Sequence, residues 1–268
     1  MKFNVVTIFP DIFDTVLQYG VIGRGLKKGL SEVNIVNLRE FATDKHQSVD
    51  WPVYGGKDGM LMGCEPLGRC VDSLKQDNPK RKIVYLSPQG KAWSNSEAQA
   101  WAQSNEDVVL ICGRYAGVDQ RFIEHYVDEE ISVGDYVLSG GEVAAQILID
   151  TTMRFIPGVL GDERSPVEES LENNRLEAPQ YTRPPVYKNM EVPEVLRSGH
   201  HRKIKDWCDQ AALIRTFHLR PDLLGPMDGE RVNILAAIRF FEAAPEGELQ
   251  SMGFSFAMLA RLKQELSS

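Results

Sequence analysis

Ile131-Ser132-Val133-Gly134-Asp135-Tyr136-Val137-Leu138-Ser139-Gly140-Gly141-Glu142 is the stretch that decides how this chain folds. A short apolar strand meets a glycine turn, a second short strand meets a glycine pair, and a helix follows. Two earlier stretches have the same form. Ile83-Val84-Tyr85-Leu86-Ser87 runs into Pro88-Gln89-Gly90, and Val108-Val109-Leu110-Ile111-Cys112 runs into Gly113-Arg114-Tyr115-Ala116-Gly117. Glycine removes the side chain that would keep a ligand away from the backbone. In open α/β sheets such loops gather at the carboxyl ends of strands, where ligands bind. Each loop alone is an ordinary tight turn. Three of them after strands in one domain point to a single site.

Working outward, Phe3 to Phe9 is rich in β-branched residues and predicts a strand. Pro10-Asp11 then opens a helix, with Ile12, Phe13, Val16 and Leu17 at helical spacing and Gly20 as a stop. Asn34 to Leu38 predicts a second strand, and Thr43 to Gly63 a long polar, glycine-rich loop, of a length that is usually functional or disordered. Within it, Gly55, Gly56 and Gly59 before Met60-Leu61-Met62 read as a hinge closing onto an apolar strand. Helices are expected at Pro66–Leu74, from a Ser94 or Asn95 cap to Gln103, at Asp119–His125 and at Glu142–Phe155. This alternation predicts an α/β fold with a mainly parallel sheet covered by helices. No loop matches G-x-G-x-x-G opening a helix, and no P-loop exists, so a Rossmann site is disfavoured. Gly23-Arg24-Gly25 follows a helix and is a weak signal.

The chain has 268 residues, 43% of them hydrophobic, and a net charge of −8. That composition supports a packed core and argues against RNA binding by global charge, while leaving room for a local basic patch. Met1-Lys2-Phe3-Asn4-Val5 reads as the first strand, not as a leader. No apolar run reaches the length of about 18 residues that a membrane span requires. Cys64, Cys70, Cys112 and Cys208 lack C-x-x-C spacing, which fits a reduced, cytoplasmic protein with no structural zinc.

Composition changes after Gly161. The stretch from Asp162 to Glu177 holds six acids and two arginines. The expected organisation is therefore a ligand-binding α/β domain over 1–161, a linker over 162–178 and a small all-helical domain over 179–268. Trp207–Arg220, Glu230–Ala243 and Phe254–Leu266 have helical apolar spacing. Residues 197 to 205, Arg-Ser-Gly-His-His-Arg-Lys-Ile-Lys, hold four permanent cations, two histidines and no acid. Such runs are usually solvated faces. On an acidic chain this one is the best phosphate-binding candidate. His200 and His201 are adjacent, with no further ligand at metal spacing. Ser165-Pro166-Val167-Glu168 is a capping box with proline at the first helical position, which places Glu169 in the first turn. The helix dipole favours its ionised form, and neighbouring Glu163, Glu168 and Glu172 oppose it.

Tyr-Leu-Ser-Pro-Gln-Gly (85–90), Cys-Gly-Arg-Tyr (112–115), Gly-Asp-Tyr-Val-Leu-Ser-Gly-Gly-Glu (134–142) and Arg-Phe-Ile-Pro-Gly-Val-Leu-Gly (154–161) resemble the bacterial tRNA (guanine-N1)-methyltransferase family. Gln-Tyr-Thr-Arg-Pro (180–184), Val-Pro-Glu-Val-Leu (192–196) and Arg-Pro-Asp-Leu-Leu (220–224) extend the resemblance, which runs in order from Val6 to Leu224. It implies the SPOUT fold, a parallel sheet with a deep trefoil knot, and a homodimer with the active site at the interface. It further implies methylation of N1 of the guanosine 3′ of the tRNA anticodon, with S-adenosylmethionine as donor. Cofactor-binding positions carried over are Leu86, Ser87, Pro88, Gly90, Gly113, Tyr115, Val133, Gly134, Tyr136, Val137, Leu138, Gly140 and Gly141. Glu169 stands where the family has an aspartate base, and Arg154 where it has an arginine assisting at the target base. RNA contacts are expected at His46, Asp50, Tyr54, Arg197, His201, Arg202, Lys203 and Arg215.

Several functional positions depart from the family pattern. Glu169 adds a methylene, displacing the base by roughly an ångström, and misplacement on that scale can cost about a hundredfold. Ala116 replaces a glutamate. Gln47, Trp51, Val53 and Lys57 replace an arginine, an acid, a proline and a glycine, while His46, Asp50, Tyr54 and Gly59 are kept. These changes leave three readings open: the family's methyltransferase, a divergent homologue with another RNA target, and a non-catalytic RNA- or cofactor-binding protein.

Overall fold

The computed structural model of the chain describes residues 1–56, 58–161, 170–171 and 174–266. It divides into two compact units, Met1–Glu163 and Arg164–Ser268.

In the first unit five strands form one sheet: β1 (Lys2–Thr7), β2 (Glu32–Asn37), β5 (Lys82–Ala92), β6 (Val108–Ile111) and β7 (Glu129–Ser132). Their order is β2-β1-β6-β5-β7, and every pairing is parallel. Both faces are covered, so the strands read as apolar runs with alternate residues entering two separate cores. Phe3, Val5, Val84, Leu86, Val108 and Leu110 point into one core. The helices α2 (Gly20–Lys27) and α6 (Glu142–Met153) close it with Ile22, Leu148, Ile149 and Met153. Val6, Ile83, Tyr85, Val109 and Ile111 point into the other, under α3 (Cys64–Asp77) and α5 (Gln120–Tyr126). The expected parallel α/β sheet is present.

Local details differ from the sequence expectation in ways that packing explains. Gly20 is not the expected stop: α1 (Asp14–Gln18) ends before it with Tyr19 as its cap, and Gly20, with φ of 66°, is the first residue of α2. Gly23 and Gly25 lie inside that helix. A Cβ on Gly23 would overlap the Gln18 carbonyl, and one on Gly25 would lie 2.7 Å from Met153 Cε. They are close-packing glycines, not loop glycines. The long loop contains a small hairpin, β3 (Asp50–Pro52) with β4 (Met60–Met62). The helix α4 (Asn95–Ser104) begins at Ser94, whose Oγ accepts from the Glu97 N–H. The expected second strand after β7 does not form; Tyr136-Val137-Leu138 is loop, with Val137 89% exposed.

The second unit contains α7 (Glu194–Arg197), α8 (His201–Leu219), α9 (Met227–Glu242), α10 (Glu246–Ser251) and α11 (Phe256–Glu265). Trp207, Ile214, Ile238, Phe241, Leu249 and Leu262 build its core. It is not all helical: β8 (Val186–Tyr187) pairs with β9 (Met190–Glu191) across Lys188 and Asn189. Those two residues have φ of 49° and 64°, as a type I′ turn requires, without the Asn-Gly signal that usually announces it. Part of the expected linker is docked on this unit. The Leu176 N–H donates to Thr216 Oγ1, and Arg175 pairs with Glu230. Ser165–Glu168, the expected capping box, lies outside the described residues.

Candidate functional site

At the carboxyl ends of β5, β6 and β7 three loops enclose a cleft of about 210 Å³. Leu86, Ile131, Val133, Leu138 and Ala144 give it apolar surface, while Ser87, Gln89, Ser132 and Ser139 add polar groups. Of the cofactor positions expected from the sequence, Pro88, Gly113, Tyr115, Gly134, Tyr136, Val137, Gly140 and Gly141 line it too. Gly90 does not. In the ladder Ile131 is partner first to Leu86 and then to Lys91, so residues 87–90 bulge out of β5. A Cβ on Gly90 would overlap the Glu130 backbone, so this glycine lets β5 pass β7.

The cleft glycines do more than bare the backbone to a ligand. A Cβ on Gly113 would lie 2.9 Å from the Tyr85 ring, and one on Gly141 would lie 2.7 Å from Cys112 Cα. One on Gly134 would overlap the Tyr136 ring, and one on Gly140 the Arg114 side chain. These positions are bare so that the cleft's own side chains and strands can close around it. Gly117, with φ of 114°, also has the conformation that side chains disfavour. Tyr115 holds φ of 59° without that freedom. Such a conformation costs on the order of 1 kcal/mol and persists where the surroundings impose it.

Other side chains that the sequence reading did not place in the site belong to it, Tyr85, Gln89, Arg114 and Ser139 among them. Tyr85 is buried, which raises its phenol above the ordinary value. Arg114 Nε lies 2.8 Å from Glu142 Oε2, and Arg114 Nη1 donates to the Ser139 carbonyl at 3.2 Å. Glu142, 1% exposed at the head of α6, also accepts from Thr7 Oγ1 at 2.7 Å. The available signals were the cation directly after a strand-end glycine and the acid directly after Gly140-Gly141. Cys112 is no nucleophile here, because burial pushes its thiol well above the usual range.

The hairpin carrying the family departures is bonded to this cleft. The Ala116 N–H donates to the Met60 carbonyl at 3.0 Å, and the Met62 N–H to the Gly117 carbonyl at 3.0 Å. Asp50 begins the hairpin, and Tyr54, 95% exposed, stands in its connecting loop. His46 is exposed beside it, in a turn where Asp44 accepts from the His46 and Ser48 N–H groups. The Ser48 hydroxyl and N–H, donating to the Asp44 carboxyl, do most to hold it below its usual range. Trp51, a departure, lies over Gly63, where any Cβ would overlap its ring.

Other expected residues are placed elsewhere. Arg154 caps the C-terminal end of α6, while Gly141 and Glu142 stand at its N-terminal end. Arg154 directly follows the 12-residue helix that Glu142 begins, a rise of roughly 18 Å between the two. Within one chain Arg154 is therefore remote from the cleft. Glu169 lies outside the described residues. In the second unit His201, Arg202 and Lys203 are exposed and form the first turn of α8, where no acid accompanies them. Cations there oppose the helix dipole by about 0.3–1 kcal/mol each, so stability does not account for them. Arg197 ends α7 and lies 4.0 Å from Glu191. Arg215 is half-buried, roughly 18 Å along α8 from Lys203, and does not join that cluster.

Fold and cleft together define an α/β protein with a small-ligand site at its strand ends. The family model described as tRNA (Guanine-1)-methyltransferase TrmD matches residues 1–226. The chain is 46% identical over 233 residues to the tRNA (guanine-N(1)-)-methyltransferase of Ruminiclostridium cellulolyticum, covering 87% of this chain and 100% of that protein. It is 48% identical over 225 residues to the Vibrio vulnificus protein of the same name, covering 84% and 90% respectively. With that of Blochmanniella pennsylvanica it shares 43% over 242 residues, 89% of this chain and 95% of the other. The chain belongs to the tRNA (guanine-N1)-methyltransferase family.

Proposed function

We propose that the cleft of the first unit binds S-adenosylmethionine and that the methyl group goes to N1 of the guanosine 3′ of the tRNA anticodon, position 37. The protein is an enzyme, a tRNA (guanine-N1)-methyltransferase, as its family membership establishes. The observation that carries the choice of site is the cleft itself. Its apolar walls suit a flat heteroaromatic base, and Ser87, Gln89, Ser132 and Ser139 suit a polar chain attached to it. Arg114, the one permanent charge among the described lining residues, is balanced by Glu142, so a sulfonium is not repelled. S-adenosylmethionine supplies a methyl group already activated by positive sulfur.

What remains for the chain is orientation and removal of one proton. Guanine N1 carries a proton at neutral pH. Glu169 would accept it, and the electron pair so freed on N1 would take the methyl group as the C–S bonding pair stays on sulfur and the neutral thioether leaves. Arg154 assists at the target base, from the partner copy of a homodimer. That reading is supported by the length of α6 between Arg154 and the cleft. Phe9, Ile12, Tyr115, Tyr136, Val137 and Val143, all exposed on the first unit, offer the apolar surface such a dimer needs. The trefoil knot would run through the three cleft loops. Arg202 and Lys203 hold tRNA phosphates, with Arg197 and His201 beside them; His46, Asp50, Tyr54 and Arg215 complete the RNA contacts. No described helix is long and apolar enough to cross a membrane; a cytoplasmic site of action is part of the proposal.

The test is incubation with labelled S-adenosylmethionine and a tRNA transcript carrying guanosine at the third anticodon position and at its 3′ neighbour. Label recovered as N1-methylguanosine at that neighbour is the expected result. Label at another nucleoside means a different target. Donor binding without transfer means a binding protein that lost its chemistry.

A further inference from the structure

Arg114 is more extensively tied than any charge balance requires. Its guanidinium carbon sits 4.6 Å over the Phe9 ring, just after β1. Its Nη1 reaches the Ser139 carbonyl on the opposite wall of the cleft. Its side chain fills the space a Cβ of residue 140 would occupy. Its own N–H meets Met62 Sδ on β4 at 3.2 Å. The contact with Glu142 is an ion pair and not a hydrogen bond, since Nε is close to Oε2 but not aligned with it.

The wall that Arg114 reaches is otherwise held mostly by itself. The Tyr136 N–H donates to the Gly134 carbonyl, the Tyr136 hydroxyl to the Val133 carbonyl, and Ser132 Oγ to the Gly134 carbonyl. Its ties to the neighbouring loop are the Gly141 N–H to the Gly113 carbonyl, at 2.9 Å, and the Arg114 contacts. Just ahead of α6, the wall is thus joined to the Gly113 loop by a backbone bridge between Arg114 and Gly140 and, at the Ser139 carbonyl, by the Arg114 guanidinium.

We infer that Arg114 is the positioning residue of the donor site: it sets the separation of the Ser139–Gly141 wall from the Gly113 loop, and through it the affinity for the donor. The inference rests on the reading that this cleft holds S-adenosylmethionine. Arginine serves here because its planar fork can face a carboxylate with one edge and a carbonyl with another; a lysine ammonium carries the charge without the fork.

The experiment compares Arg114→Lys and the double variant Arg114→Ala with Glu142→Gln against wild type. Calorimetric titration measures affinity for S-adenosylmethionine and for 5′-methylthioadenosine, which lacks the amino-acid carboxylate; thermal unfolding is followed in parallel. Arg114→Lys keeps the cation beside Glu142 and should melt near the wild-type temperature. It should bind both ligands about tenfold to a hundredfold more weakly, the range expected when a charge-assisted hydrogen bond is removed. The double variant removes cation and buried anion together, which guards against a failure to fold, and should show the same drop for both ligands. A drop confined to S-adenosylmethionine would assign Arg114 to the donor's carboxylate and overturn the inference. Unchanged affinity in Arg114→Lys, or affinity recovered in the double variant, would reduce Arg114 to charge balance and also overturn it. Wild-type protein binding neither ligand would instead remove the cleft reading itself.

Discussion

The donor cleft of the first unit and the first turn of α8 in the second serve the proposed reaction by different physical means. In the cleft, glycines, a strand bulge and one ion pair fix the backbone, and charge is cancelled where it occurs. In α8, Arg202 and Lys203 stand exposed beside His201 on an otherwise regular helix and place their charge against its dipole. The cleft is a matter of shape, and its glycines leave no room for a side chain. The helix turn is a matter of charge density, and its residues act nearly additively.

Substitutions in and around the two regions break or sharpen that contrast. Glu169→Gln should lower kcat by about a hundredfold to ten-thousandfold, the span of general-base catalysis, with donor and tRNA affinity kept. A large drop in donor affinity would make Glu169 a binding residue and not the base. Gly141→Ala forces a Cβ against Cys112 Cα and 3.1 Å from the Gly113 nitrogen, both backbone. It should cost about 1–3 kcal/mol in thermal unfolding of the first unit, as overpacking does, and weaken donor binding as well. Gly229→Ala in α9, where an added Cβ would meet nothing within 4 Å beyond its own stretch of helix, should instead stabilise by about 0.5 kcal/mol. Equal effects at the two glycines would end the claim that the cleft is defined by shape.

Arg202→Ala with Lys203→Ala should weaken tRNA binding and reduce the log–log salt slope by about 1 for each phosphate no longer neutralised. Donor affinity, read by titration, should not move. An unaltered slope returns the segment to a solvated face.

The smallest effect concerns Asp119, the N-cap of α5, which accepts from the Arg121 N–H and faces its guanidinium at 2.8 Å. Arg121 holds the Asp119 carboxyl well below its usual range. A carboxyl whose value is depressed by folding contributes stability above its unfolded value, and that contribution fades as pH falls through the folded one. Asn keeps the cap, so Asp119→Asn should cost a few tenths of a kcal/mol at neutral pH, given the exposure of the pair. The gap between variant and wild type should narrow below about pH 4. A gap that widens there would contradict the pairing.

How far the site could be read in advance differs between its parts. The cleft loops were legible because strand periodicity and glycine placement are local signals. The purpose of those glycines was not, because it depends on what approaches: Tyr85 under Gly113, Arg114 over Gly140, and Met153 against Gly25. Gly90 reads as a ligand glycine for the same reason, although it faces the Glu130 backbone. The hairpin at Val186–Glu191 escaped because its turn uses Lys188-Asn189, and the start of α8 escaped because a basic run resembles a loop. Arg114 and Glu142 each stand within a legible motif, and only folding sets them side by side.

Composition and periodicity were enough to determine a parallel α/β domain and a helical second unit, apart from its one hairpin, and the order of the motifs carried the resemblance to a tRNA methyltransferase family. The first two depend on near neighbours in the chain and on backbone preferences. Tertiary structure alone decided that Glu142 meets Thr7 across 135 residues, that Arg114 spans the cleft, and that Arg154 sits at the far end of α6 from it. A residue's partners across the sheet follow from strand order and packing, and no local property of the chain encodes that distance.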